Sequence, residues 1–211
     1  IAHLISLLFG FPADGYSFLY QVSVLVSANF YLWLGCKYSS KLISEYSIPE
    51  KVSAFFIVLI VFGTNLFFYT TYDGSYSHVY SFSMIAMFLF FSHSFFKNNY
   101  ARQLSLSAFL LGIITLLRPT NIIIALMFFF FAGSLKNFRE TLLKNKTSLL
   151  VSFFIFLITL FPQFLMYFLQ TGNFIVWSYG DENFNFTNPQ FLNVFFSYKK
   201  GLFVYTPLAL F

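Results

Sequence analysis

The sequence predicts an all-α polytopic transmembrane bundle, on three observations. Only 9% of its 211 residues are charged and 58% are hydrophobic, whereas soluble chains carry roughly a quarter charged residues. A soluble domain this poor in charge could not cover its surface. Phe alone occurs 35 times, more than one packed core needs, and Phe is at home against hydrocarbon. The charges that remain fall between apolar segments, in a regular alternation along the chain.

A spanning helix needs about 20 residues at 1.5 Å each. Residues 1–9 read as the end of a helix and 11–16 (FPADGY) as a turn. The first full span is 17–36, followed by a polar loop to about 52. The second is 53–71, then the loop 72–78 (YDGSYSH). The third is 79–96, closed by 97–103. The fourth is 104–117, ending in the tight turn 118–121 (RPTN), and the fifth is 122–135. A basic loop to 147 precedes the sixth span, 148–168. A polar-aromatic segment, 169–200, forms an outer-face loop, and a seventh helix starts at 201. Within that loop, Asn188-Pro189 and the apolar face Phe191, Leu192, Phe195, Phe196 predict a short amphipathic helix over 189–200. The whole of 1–211 is expected to be a partial transmembrane domain of about six full spans. The start at Ile1 and the apolar end at Phe211 lead us to expect a piece of a longer protein.

Orientation follows from the cations. Lys37, Lys41 and Lys51, then Lys97 and Arg102, then Lys136, Arg139, Lys144 and Lys146 occupy alternate loops: nine of the twelve basic residues. Those loops are expected to be cytoplasmic. The opposite loops hold Arg118, Lys199, Lys200 and four of the seven acids: Asp14, Asp73, Asp181 and Glu182. The net charge of +5 therefore reads as membrane orientation, not nucleic-acid binding. A single cysteine, Cys36, leaves no internal disulfide. No P-loop, CxxC pair, GxSxG or metal-type histidine pair occurs, so ATP-driven and soluble-hydrolase chemistry have no support.

No span carries a charge in its middle, which argues for chemistry at a membrane face. Arg118 is the leading candidate. The apolar stretches on either side are short, so its guanidinium is expected below the outer headgroups, where a lipid phosphate is its natural partner. The bland alternative is a snorkelling arginine at a helix end. His78, at the outer mouth of the third span, is a second candidate phosphate donor or proton carrier. Lys199 and Lys200 suit lipid phosphates or simple helix anchoring. Asp181 and Glu182 suit an acceptor or a divalent metal, or else a solvated loop. Tyr179 and Trp177 fit a sugar platform or an aromatic belt. Asp14 and Asp73 are weak general-base candidates, each followed by Gly and so also suited to a turn. His93 reads as structural, and His3 carries no reading.

Together SHVYSF at 77–82, LLRPTN at 116–121 and YGDENFNFTNPQFLNVFFSYKKGLFVYTP at 179–207 resemble bacterial multi-span glycosyltransferases of the GT-C type. That superfamily includes protein O-mannosyltransferases and lipid A aminoarabinose transferases. The resemblance implies a transferase in the bacterial inner membrane, active on its periplasmic or extracellular face. It would use a polyprenyl-phosphate-linked sugar donor and a glycan, lipid or protein acceptor. Arg118, with His78 and Lys199, would hold the departing phosphate, and Asp181 or Glu182 would meet the acceptor or a metal. Such enzymes usually carry a key carboxylate in the first outer loop after the first span. Here that region is expected to precede Ile1, so the role is not transferred to Asp14.

Two other readings stand beside this one. A transporter or flippase of lipid-linked glycans would need a polar path, for which Ser23, Ser27, Asn29 and Asn65 are the hints. A non-catalytic membrane subunit would need no site at all.

Overall fold

A computed structural model of the chain describes residues 2–176, 188–199 and 201–206. All regular structure among them is helical, and it divides into two compact units, Ile1–Phe90 and Phe91–Phe211.

In the first unit, α1 (Ala2–Phe9) leads through a turn into α2 (Phe18–Ser44), and His3 Nδ1 meets the Tyr20 hydroxyl at 2.7 Å. With 27 residues, α2 is about 40 Å long and outruns a hydrocarbon layer of about 30 Å. The polar loop expected at 37–52 is thus mostly helix, with only 45–49 outside it. Lysine is a good helix former, and at a helix C-terminus the backbone dipole favours it. Lys37 also lies over the Trp33 ring at 4.7 Å.

The second expected span is broken. α3 (Glu50–Gly63) stops at Thr64, whose backbone is extended, and α4 (Leu66–Thr71) resumes two residues on. The Thr64 hydroxyl donates to the Ile60 carbonyl at 2.7 Å and accepts from the Leu66 N–H at 3.2 Å. These bonds replace helix bonds that the break removes. The break borders the unit's core, where Val61 and Leu66 on either side of it pack with Val79, Tyr31, Cys36 and Phe82, while Asn65 itself is exposed. Irregular backbone at membrane depth needs its polar groups re-bonded or covered, and the Thr64 hydroxyl supplies part of that here. Gly35 brings α2 against the next helix, α5 (Ser77–Asn98): a Cβ there would sit 2.5 Å from the Phe82 ring.

The second unit takes in the end of α5, then α6 (Ala101–Leu117), a 3-10 segment (Pro119–Leu126), α7 (Met127–Ala132), α8 (Leu135–Lys144) and α9 (Lys146–Thr171). The expected fifth span is therefore a 3-10 turn run into a short α-helix. Pro119 starts it and three consecutive β-branched isoleucines, Ile122 to Ile124, follow, which lowers α propensity. Gly133 ends α7 at φ +71°, a left-handed conformation suited to glycine. The chain then turns by 100° into α8, so the basic loop expected before the sixth span is in fact an amphipathic helix. Its N-cap, Ser134, accepts from the Asn137 N–H at 3.1 Å.

α6 and α9 run parallel and in register. Ser105 pairs with Ser152 at 3.4 Å, and a Cβ on Gly112 would lie 2.7 Å from Thr159; both pairs are 47 residues apart. At the start of both helices Asn145 Nδ2 donates to Asn99 Oδ1 at 2.6 Å. Small residues and hydroxyl pairs of this kind are what hold helices together in lipid, where apolar burial between helices gains little. Ser92 and Ser107 tie α5 to α6 at 3.3 Å in the same way. The large apolar side chains that remain exposed, such as Ile158 (68%) and Leu169 (69%) on α9, face the lipid.

The amphipathic helix expected at 189–200 is shorter. α10 (Phe191–Phe196) starts after Gln190 instead of at Pro189, and Ser197 ends it in extended backbone. Phe203 of α11 (Leu202–Tyr205) stacks on Phe195 at 5.2 Å. Gly201 lets the two helices fold together, its N–H donating to the Ser197 carbonyl at 2.7 Å.

Three helices, α2, α5 and α9, are each long and apolar enough to cross a membrane. A fourth span results if the bent pair around Gly133 counts as one. α6, at 17 residues, is shorter. This is fewer unbroken crossings than the six expected, because the second and fifth segments are interrupted and the fourth is short.

Candidate functional site

Arg118 ends α6. Its backbone is extended (φ −154°, ψ 112°), its N–H donates to the Ile114 carbonyl at 3.1 Å, and its carbonyl accepts from Asn121 at 2.9 Å. The following proline forces this geometry, since the residue before Pro avoids the α region. The side chain is exposed. Carrying the α6–α9 register onward sets Arg118 level with Leu165, and α9 continues to Thr171. Six further residues lift the end of α9 about 9 Å above the Cα of Arg118. Pro162 lies inside α9 just before this level, and the helix continues through it. Arg118 therefore sits on a step, below the end of its longer neighbour.

His78 lies in the first turn of α5, half-buried, with its ring stacked on Tyr69 at 4.0 Å and near Tyr76 at 6.3 Å. The adjoining loop is fastened down. The Tyr80 hydroxyl donates to the Gly74 carbonyl at 2.9 Å, and Gly74 packs on fully buried Ala28. Asp73 is held in this loop by its backbone, which accepts from Tyr76 at 3.2 Å. Asp14 is a turn residue: its Oδ1 accepts from the N–H groups of Tyr16 and Ser17, both at 2.8 Å. Those two bonds, with Tyr16 the larger contributor, hold its carboxyl below the ordinary aspartate range.

Asp14, Asp73 and His78 belong to the first unit, and Arg118 and Lys199 to the second. Lys199 is exposed, its ammonium 5.9 Å from the Tyr198 ring centroid. Trp177, Tyr179, Asp181, Glu182 and Lys200 lie outside the described residues. Among the described residues no cluster of three or more His, Cys, Asp or Glu could hold a metal ion. The polar hints of a transport path are dispersed: Asn29 returns its amide to the Leu25 carbonyl at 2.9 Å, and Asn65 is exposed at the α3–α4 break. His93 packs edge-on against Phe131 at 5.5 Å.

Sequence reasoning missed a feature at the other end of the second unit. A groove of about 640 Å³ opens between α8 and α9, with Arg139 and Lys146 on otherwise apolar walls. A second, more polar hollow adjoins it, lined by Lys136, Arg139 and Glu140. The signal was present as the spacing Leu135, Phe138, Leu142, one face of a helix, but the cations around it read as a loop.

These features define a polytopic α-helical membrane protein. Compared with family models, curated protein sequences and solved structures, the chain matches none.

Proposed function

We propose that the protein is a membrane glycosyltransferase that moves a sugar from a polyprenyl-phosphate-linked donor to an acceptor at the face opposite its basic loops. The observation that supports this most is the step at Arg118. The guanidinium is exposed beside the longer α9, and its fork of donors matches a phosphate. In the reaction, the bond between the anomeric carbon and the phosphate oxygen breaks, and its electron pair stays on that oxygen. The acceptor's oxygen or nitrogen bonds to the anomeric carbon and loses its proton to a carboxylate. Arg118 stabilises the charge that grows on the leaving phosphate, an effect that depends on a donor already in place. On this reading, as in the bacterial transferases the sequence resembles, the protein works in the inner membrane with its active face periplasmic.

The test is sugar transfer in membranes containing the protein, supplied with radiolabelled polyprenyl-phosphate hexoses. Arg118→Ala is expected to lower transfer by about 10²-fold or more, with insertion unchanged, and Arg118→Lys to restore part of it. Equal transfer by the alanine variant removes the role given to Arg118. Correct insertion with no transfer from any such donor points instead to a transporter or a non-catalytic subunit.

A further inference from the structure

We propose that the elbow between α8 and α9 is a binding site for an anionic phospholipid of the adjacent leaflet. The inference does not depend on the transferase reading. α8 leaves the preceding helix at 100°, the attitude of a helix lying along a membrane surface. Its charged residues Lys136, Arg139, Glu140 and Lys144 alternate with the apolar row Leu135, Phe138 and Leu142. The groove of about 640 Å³ beneath it falls within the roughly 300–1,000 Å³ usual for small-ligand sites.

The lining fits a molecule with one charged end. Leu142 of α8 and Leu150 and Phe153 of α9 form apolar walls, and Leu150 (57%) and Phe153 (54%) are exposed. Among the described residues that line the groove, Arg139 and Lys146 are the charged ones. Glu140 lines the adjoining hollow with Lys136 and Arg139. Lys146 also stands at the first residue of α9, where the helix field is unfavourable to a cation; an anion between it and Arg139 relieves that. A headgroup phosphate bridging these two side chains would lay an acyl chain along Phe153. The parallel register of α6 and α9 puts Arg102 and Lys97 on the same side of the unit, so the surrounding field also favours anionic lipid.

Native mass spectrometry of the detergent-purified protein with dioleoyl-phosphatidylglycerol, dioleoyl-phosphatidylcholine and inorganic phosphate tests this. Phosphatidylglycerol adducts are expected to survive at least about tenfold better than phosphatidylcholine adducts. Arg139→Gln with Lys146→Gln should remove that preference while far-ultraviolet circular dichroism stays the same. Leu150→Ser, which leaves both cations in place, should weaken retention of phosphatidylglycerol. Equal retention of the two lipids overturns the proposal, as does a double variant that keeps the preference. Displacement of phosphatidylglycerol by equimolar inorganic phosphate would show an anion site without a chain-binding groove, and also overturns it.

Discussion

Asp14 shows how one carboxylate can be diverted from chemistry to architecture. Its two backbone hydrogen bonds stabilise the anion, so it is a poorer proton acceptor than an ordinary aspartate. Asp14→Asn keeps an acceptor oxygen for the turn, and we expect sugar transfer to stay within about threefold of the parent, as for a surface change. Loss of transfer in that variant, with the turn intact, would make Asp14 the base after all. The sign of the pH effect follows from the lowered value. A carboxyl depressed on folding contributes stability above its unfolded pKa of about 4, and that contribution fades as pH falls further, through the folded value. Thermal unfolding in detergent between pH 6 and pH 3 should therefore show a steeper loss for the parent than for Asp14→Asn. This role was half legible, because the Gly after Asp14 signals a turn. Which backbone groups the side chain would cap was not legible from the sequence.

At the scale of helices, Gly112 sets the α6–α9 distance. A methyl there would meet Thr159 at 2.7 Å, so Gly112→Ala should destabilise the protein by about 1–3 kcal/mol, the usual cost of overpacking. Thr159→Gly removes the obstructing Cβ and Cγ2, and the double variant should recover part of the loss; a thermal-melt double-mutant cycle measures the coupling. Additive single-variant effects would show that the two helices are held apart elsewhere. The apolar runs made most helices legible, including the 22-residue α5 and the 26-residue α9. The interruptions were harder. Thr64 and Asn65 look like ordinary polar residues within a span, and the bonds by which the Thr64 hydroxyl compensates the break appear only in three dimensions. In sequence α8 reads as a loop, because its cations outweigh its apolar row. The α2 end was cut short for the same reason, although lysines extend helices readily.

For the whole molecule, the alternation of basic and acidic loops predicts a single topology. The Asn99–Asn145 bond already sets two basic loops on one side of the second unit. In a Cys36→Ser background, an impermeant thiol reagent applied to intact cells should label Asp73→Cys and leave Arg102→Cys and Lys144→Cys unmodified until the cells are opened. The reverse pattern would put the Arg118 step on the cytoplasmic side. The candidate site was legible as separate residues and not as a constellation. Hydropathy marks where Arg118 ends a helix, but the depth of that end depends on how far α9 runs past it, which only the packing register reveals. That length difference has a consequence for the lipid around it. A short helix beside a long one makes the water boundary uneven, so the hydration of Arg118 should follow bilayer thickness. In long-chain lecithin vesicles its headgroup partners recede from it, and in short-chain ones they crowd around it, which would make the membrane itself a regulator of whatever anion the arginine holds.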